Sequence, residues 1–214
     1  MKIDVFQSKY TFIGAGNMAE AIIQGYLWGE IKNDEKNIFI VEPSIERLNY
    51  MTSTYGIRGS SEYIEDFDIG TPVLAIKPLV FREIWPNLKK KIPAKSGIIS
   101  IMAGVSCEEI EGDDDIDVVR IMPNTPCLIS KGISAICQKE YNEKAYLESS
   151  TFLFAEYLMK GSGEVVHISE EKMHAVTALS GSGPAYAFYF IEAMIKSGKK
   201  LGLNDNEANI LAKA

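Results

Sequence analysis

A glycine-rich turn near the start of the chain contains the residues with the clearest chemical role. Gly14, Gly16 and Ala19 stand at the spacing G-x-G-x-x-A. The first glycine permits a tight turn, the second lets the backbone approach a pyrophosphate, and the small third residue lets helix and strand pack closely. Free N–H groups and the positive end of the following helix then face the phosphates. The predicted dinucleotide-binding residues are Gly14, Ala15, Gly16, Asn17 and Met18.

A carboxylate should accompany such a turn, because an acidic side chain usually hydrogen-bonds the adenosine ribose. Glu42 directly follows the apolar run Asn37–Val41 and is the candidate. It lies beyond the usual offset of about 20 residues, so an ordinary surface glutamate at a strand end is the alternative. A ribose-bound carboxylate would repel a 2′-phosphate and favour NAD. Ser44 and Arg47 lie close by in sequence and would instead accept that phosphate.

Three more segments follow apolar runs, and ligands of doubly wound sheets bind beyond the carboxyl ends of strands. Pro123 and Pro126 would stiffen one turn and leave the Asn124 amide free to hydrogen-bond a cofactor, unless they only terminate a strand. Lys77 would meet a phosphate or ribose, or else extend into solvent. The candidate cofactor-binding residues in these segments are Ala75, Lys77, Pro78, Ala103, Gly104 and Asn124.

The elements that must position these residues alternate between apolar strands and amphipathic helices. A helix is predicted from about Asn17 to Trp28, and Ser44 is the predicted N-cap of another. Strands that are apolar on both faces belong in a parallel sheet covered by helices. The alternation predicts βαβ units and an α/β, doubly wound sheet of the Rossmann type. The predicted strands are Tyr10–Ile13, Asn37–Val41, Pro72–Ile76, Gly97–Met102 and Val118–Met122.

The pattern changes after about His167, where helical spacing replaces the strand signals. Helices are predicted over Glu170–Leu179 and Pro184–Lys200, and Asn204 caps a third with Glu207 at the capping-box position. The predicted domains are therefore residues 1–166, which bind the dinucleotide, and residues 167–214, which are all-α. Since the third helix has no stop signal, we expect these helices to be the N-terminal part of a larger domain.

Composition argues against several other classes of function. The formal net charge of −7 disfavours nucleic-acid binding, and no apolar run is long enough for a membrane helix. Cys107, Cys127 and Cys137 match no CxxC or zinc pattern, and the chain has only two histidines. We therefore expect a cytoplasmic protein with three reduced, mostly buried thiols and without a metal site.

Four segments together resemble pyrroline-5-carboxylate reductase in order and spacing: Phe12–Ile22, Ala75–Pro78, Arg120–Pro126 and Ala175–Tyr186. The last of them, AVTALSGSGPAY, is the specific one, whereas AIKP is shared more loosely with other Rossmann reductases. The resemblance implies reduction of 1-pyrroline-5-carboxylate to L-proline with NADPH or NADH, the last step of proline biosynthesis. It also implies that the C-terminal helices form a homodimer or higher homo-oligomer, and that Thr177 lies beside the substrate ring as a catalytic residue.

The chain departs from this family at two places. His174 stands where the family often has aspartate, and it is assigned no role. The family holds the substrate carboxylate with a Ser-Pro-Gly-Gly-Thr-type loop, which does not occur in these 214 residues. The resemblance thus implies that the 214-residue chain self-associates but needs extension through that loop for reductase activity.

Two alternatives stay open at this point. A reductase of the β-hydroxyacid dehydrogenase kind would need a lysine general acid near Thr177–Tyr186, and the nearest upstream is Lys172. A non-catalytic nucleotide-binding or regulatory protein would need no carboxylate loop. Hydride transfer from nicotinamide to a protonated imine needs neither a metal nor a covalent nucleophile, so the protein would act mainly by positioning and electrostatics.

Overall fold

The computed structural model describes residues 8–29, 33–63, 70–92, 97–114, 116–139 and 149–214. An eight-stranded sheet organises them, in the order β3-β2-β1-β4-β5-β6-β7-β8. Its strands are β1 Tyr10–Ile13, β2 Ile38–Val41, β3 Arg58–Ser60, β4 Thr71–Leu74, β5 Ile98–Ser100, β6 Val118–Met122, β7 Gly132–Cys137 and β8 Gly163–His167.

The first six strands pair in parallel, in the 3-2-1-4-5-6 order of a dinucleotide-binding sheet. The predicted Rossmann-type fold is confirmed. β7 pairs antiparallel with β6, and β8 pairs parallel with β7, so the complete sheet is mixed. These last two strands were not predicted. β8 is largely exposed at the sheet edge, and its sequence therefore lacks the uniformly apolar run by which the buried strands were identified.

Helices cover the sheet and then continue alone towards the end of the described chain. They are α1 Asn17–Trp28, α2 Ile45–Tyr55, α3 Pro78–Leu88, α4 Cys107–Glu111, α5 Ser150–Met159, α6 Met173–Val176, α7 Gly183–Lys200 and α8 Asp205–Lys213. The predicted caps are confirmed: the Ser44 hydroxyl accepts from the Arg47 N–H, and Asn204 forms a capping box with Glu207. Within the described residues, no helix is both long enough and apolar enough to cross a membrane.

Two apolar cores lie on opposite faces of the sheet. Tyr10 and Phe12 of β1 pack into one, together with residues of α1 and α5, whereas Ile13 packs into the other beside Phe81. Successive strand residues point to opposite faces, so a strand buried on both sides must be apolar at nearly every position. This requirement explains why the central strands were recognised from sequence.

The segment predicted as one helix over Glu170–Leu179 is less regular. It begins with a 3₁₀ turn at Glu170–Lys172, continues as α6, and widens into a π-helix at Thr177–Gly181. The Ser182 N–H donates to the Thr177 carbonyl at 2.9 Å, which is the wider i→i+5 spacing. Such π turns occur frequently at functional sites.

The last two helices pack against each other and leave a large apolar surface uncovered. Ala208 of α8 is buried beside Gly198 of α7, but α7 itself contains no buried residue. Large groups of exposed apolar side chains mark protein–protein contacts. The exposed side chains are Leu179, Tyr186, Phe188, Tyr189, Phe190, Met194, Leu201, Leu203, Ile210 and Leu211.

The division of the chain into two domains at residues 166 and 167 stays a prediction.

Candidate active site

The turn between β1 and α1 uses its two glycines for different purposes. Gly14 has a φ of +93°, and a Cβ there would lie 2.7 Å from the Ala75 carbonyl oxygen. Gly16 has ordinary extended backbone, is exposed, and would place a Cβ in open space with nothing within 4 Å. The fold thus requires glycine at position 14, whereas at position 16 it leaves room for a ligand above the first turn of α1.

Parallel pairing brings the ends of four strands to one edge. The Gly14 N–H donates to the Val41 carbonyl at 2.8 Å, the Ala75 N–H to that of Ile13 at 2.9 Å, and the Ile101 N–H to that of Leu74 at 3.1 Å. Most predicted cofactor residues therefore lie at this carboxyl edge. Ala15 is buried in the turn, Met18 and Pro78 are half-buried, and the exposed ones are Asn17, Lys77, Ala103 and Gly104.

Glu42 is more than a surface glutamate, because its carboxylate is tied to the glycine turn. It accepts from the Ala15 N–H at 2.9 Å and from the Ser44 N–H at 3.0 Å. Arg47 also faces the turn: its Nε donates to the Ala15 carbonyl at 2.6 Å, and its Nη2 forms an ion pair with Glu20 at 2.6 Å. The group predicted to receive a 2′-phosphate is therefore already engaged within the protein.

A pocket of about 500 Å³ lies beside the turn, between the ends of β1, β2 and β4 and helix α3. Its volume is within the range of small-molecule sites, which are mostly apolar. The apolar lining includes Val41, Pro43, Tyr63, Ile76 and Ile84. None of these five was predicted as a site residue. Tyr63 and Ile84 carry no motif and reach the pocket only through the fold.

The end of β6 connects the sheet to the helical segment through Asn124. Its carboxamide oxygen accepts from the Ile133 N–H at 3.0 Å, and its nitrogen donates to the Ser180 hydroxyl at 3.3 Å. The Asn124 carboxamide is therefore partly engaged within the protein, because the antiparallel return of β7 supplies a backbone partner that the sequence did not reveal. Its second N–H is not used by these two bonds, and its contact with a cofactor stays a prediction. The contact brings the SGSGP segment to the same edge as the glycine turn.

Thr177 begins the π-helix and is half-buried. Its hydroxyl donates to the Met173 carbonyl at 2.8 Å, so the oxygen lone pairs remain available as hydrogen-bond acceptors. No described contact joins Thr177 to the predicted cofactor residues, and its catalytic role stays a prediction. His174 is exposed.

A shielded ion pair, not predicted from sequence, joins β6 to the segment before α6. The Arg120 guanidinium lies 2.5 Å from the Glu170 carboxylate, which also accepts from the Cys107 N–H at 2.8 Å. Burial by itself would raise the pKa of Glu170, but the hydrogen bonds from Cys107 and Arg120 outweigh it and hold that pKa below its usual range. The carboxylate thus holds the start of α4, β6 and the helical segment together.

Burial shields the three thiols from solvent. All three cysteines are free and buried, as predicted. The neighbouring Cys137 thiol, followed by burial, raises the pKa of Cys107, which keeps that group protonated. Among the described residues, no cluster of three or more His, Cys, Asp and Glu side chains is arranged to hold a metal ion.

Two family profiles match this chain. Residues 9–104 match one described as NADP oxidoreductase, coenzyme F420-dependent. Residues 170–214 match one described as pyrroline-5-carboxylate reductase dimerisation. The matches cover the glycine turn and the helical segment respectively.

Individual relatives extend the likeness over nearly the whole chain. Pyrroline-5-carboxylate reductase 1 of Bacillus spizizenii is 36% identical over 204 residues, which are 92% of this chain and 66% of that relative. The reductase structure from Coxiella burnetii has a TM-score of 0.80 at 30% identity, covering 97% of this chain and 76% of that one. The Plasmodium falciparum reductase with NADP bound has a TM-score of 0.77 at 27% identity, covering 96% and 74%. This chain belongs to the pyrroline-5-carboxylate reductase family.

Proposed function

We propose that the protein reduces 1-pyrroline-5-carboxylate to L-proline with NADPH or NADH, the last step of proline biosynthesis. The main supporting observation is the Asn124–Ser180 hydrogen bond, which connects the dinucleotide edge to the family's SGSGP segment. A hydride donor and an imine acceptor must meet at such a junction. Family membership supports the choice of substrate. We assign the activity to the cytoplasm, where reduced thiols persist.

The residues present fit a nicotinamide dinucleotide. Open space above Gly16 and the N-terminus of α1 suit the pyrophosphate. The apolar pocket that includes Val41, Pro43 and Ile84 suits the adenosine. Exposed Ala103 and Gly104, which follow β5, would hold a further part of the cofactor. When bound, the reduced nicotinamide supplies the hydride.

The chain's own contribution to the reaction is to orient the imine. The Thr177 hydroxyl already donates to the Met173 carbonyl, so it presents lone pairs and can accept from a protonated imine N–H. That contact would fix the C=N carbon relative to the hydride donor and stabilise the positive charge that makes it electrophilic. A Cβ at Gly183 would meet nothing within 4 Å, so the start of α7 leaves room for the ring.

Thr177→Val should lower kcat/KM by roughly 10- to 100-fold, because the variant keeps the side-chain volume and removes the acceptor. Thr177→Ser should retain most of the activity. The measurement is NADH- or NADPH-dependent proline formation by the enzyme in its natural length. Full activity of the valine variant would exclude the hydroxyl from the reaction.

Product analysis tests the proposed function itself. The natural-length protein should form one proline for each pyrroline-5-carboxylate and each reduced cofactor that it consumes. A regulatory nucleotide-binding protein would bind the cofactor and form no proline, and a β-hydroxyacid dehydrogenase would instead oxidise a hydroxy acid. Either result would replace the proposal.

We also propose a homodimer or higher homo-oligomer built on the exposed apolar face of α7. The 214-residue chain should sediment as a dimer or larger species, and Phe190→Lys should weaken self-association at least tenfold, about 1.4 kcal/mol. Phe190 is 67% exposed in the single chain, so the change should leave the monomer fold intact. Lys196→Ala, on the same helix, is the matched control. A parent chain that sediments only as a monomer would contradict this assembly.

A further inference from the structure

A hydrogen-bonded cluster beside the dinucleotide turn, here called the arginine clamp, consists of Glu20, Arg47, Tyr50 and Tyr55. One carboxylate oxygen of Glu20 lies 2.6 Å from the Arg47 guanidinium. The other accepts from the hydroxyls of Tyr50 at 2.8 Å and Tyr55 at 2.9 Å. The Arg47 guanidinium also lies 5.2 Å from the centre of the Tyr50 ring. One oxygen of Glu20 therefore pairs with Arg47, while the two tyrosines hold the other and so fix the carboxylate in place.

The ion pair between Arg47 and Glu20 is partly shielded from solvent. The side chains of Arg47 and Glu20 are 24% and 15% exposed. Burial by itself would raise the pKa of Glu20, but hydrogen bonds from Arg47, Tyr50 and Tyr55 outweigh it and lower that pKa. Glu20 therefore stays ionised at neutral pH, and its partner Arg47 is always charged.

Arg47 lies where the 2′-phosphate of a cofactor would bind. Arg47 lines a small open pocket with Ser44, Glu46 and Tyr50, just beyond the end of β2. The adenosine ribose of a dinucleotide lies at that strand end, and an arginine there accommodates a 2′-phosphate. Here Arg47 is turned towards the Ala15 carbonyl and Glu20 instead. Glu46 lines the same pocket, and the Glu42 carboxylate accepts from the N–H of Ser44 beside it, so a 2′-phosphate would meet more negative than positive charge.

We propose that Glu20 sets the cofactor preference of this enzyme: by holding Arg47 against the glycine turn, it withholds the cation that a 2′-phosphate needs and so favours NADH over NADPH. Glu20 acts through Arg47 and is a positioning residue. The inference rests on the proposed function, since it names which form of the cofactor that site takes.

Binding titrations on the 214-residue chain test this without requiring turnover. The Kd values for NADH and NADPH are measured by fluorescence for the parent and for Glu20→Gln, which keeps the shape and removes the charge. The parent should bind NADH more tightly. Glu20→Gln should shift the ratio of the two Kd values towards NADPH by about tenfold, because a freed arginine forms charge-assisted bonds with a phosphate.

Three further variants separate release of Arg47 from a simple loss of negative charge. In an Arg47→Ala background, Glu20→Gln should no longer shift the ratio. Glu46→Gln removes an equal charge from the pocket that Arg47 lines and should shift the ratio much less. Tyr50→Phe removes one hydrogen bond to Glu20 at an exposed site, so it should fold normally and shift the ratio slightly towards NADPH.

The possible outcomes are distinct. A parent that prefers NADPH, an unchanged ratio in Glu20→Gln, or a shift that survives Arg47→Ala would each overturn the role of Glu20. An equal shift in Glu46→Gln would also overturn it, since local charge alone would then decide. A parent that binds neither cofactor would instead refute the proposed function.

Discussion

Gly16→Val is expected to abolish dinucleotide binding and to leave the fold in place. Position 16 has a φ of −65° and a ψ of 178°, which valine adopts without strain, and a Cβ there meets no protein atom within 4 Å. The branched side chain would instead occupy the space in which a pyrophosphate approaches the first turn of α1. A loss of at least 100-fold in affinity, about 2.7 kcal/mol, is the expected size.

Gly14→Ala provides the contrasting control. At this position φ is +93°, and the new Cβ would lie 2.7 Å from the Ala75 carbonyl oxygen, so the substitution should damage the fold itself. Valine at position 16 replaces glycine as the N-cap of α1 and should cost about 1 kcal/mol of stability. Thermal unfolding and cofactor titration on both variants separate the two effects. Parent-like affinity in Gly16→Val would remove this turn from the binding site.

Glu170→Ala is expected to lower the free energy of unfolding by about 3 to 5 kcal/mol, because it leaves the buried Arg120 charge without its partner. The Arg120 side chain is only 9% exposed, so solvent cannot replace the lost carboxylate. The Cys107 N–H at the start of α4 would lose its acceptor as well. Denaturant unfolding gives the measurement. Glu171→Ala, at the exposed neighbouring position, should change stability by no more than about 0.5 kcal/mol.

The same carboxylate makes stability depend on pH in a defined direction. The pKa of Glu170 is lowered in the folded protein, so its contribution is present above the pKa of an unfolded glutamate. The contribution is lost as the pH falls through the lower, folded value. The difference in unfolding free energy between parent and Glu170→Ala should therefore shrink on acidification. A difference that stays constant across this range would show that the variant fails for a reason other than the lost charge.

Local features of the sequence determined most of the elements around the site. The apolar runs predicted the central strands, and α1 begins and ends at the predicted residues. The N-caps at Ser44 and Asn204 were also predicted correctly, because a cap depends only on groups a few residues away. The two glycines of the turn follow the same rule, since Gly14 and Gly16 act on the backbone next to them. Interactions of this range can be recognised without knowing the fold.

Other features were decided only by the tertiary structure. Arg120 meets Glu170, Glu20 meets Arg47, and Asn124 meets Ser180 across separations of 50, 27 and 56 residues. No periodicity or cap relates such positions, because their contact depends on strand order and on how the helices cross the sheet. The edge strand β8 was missed for a related reason, since exposure removes the apolar pattern by which strands are recognised. The sequence therefore predicted where a dinucleotide turn would form. The pairing of distant charged groups determined which side chains are still free to contact the ligand there.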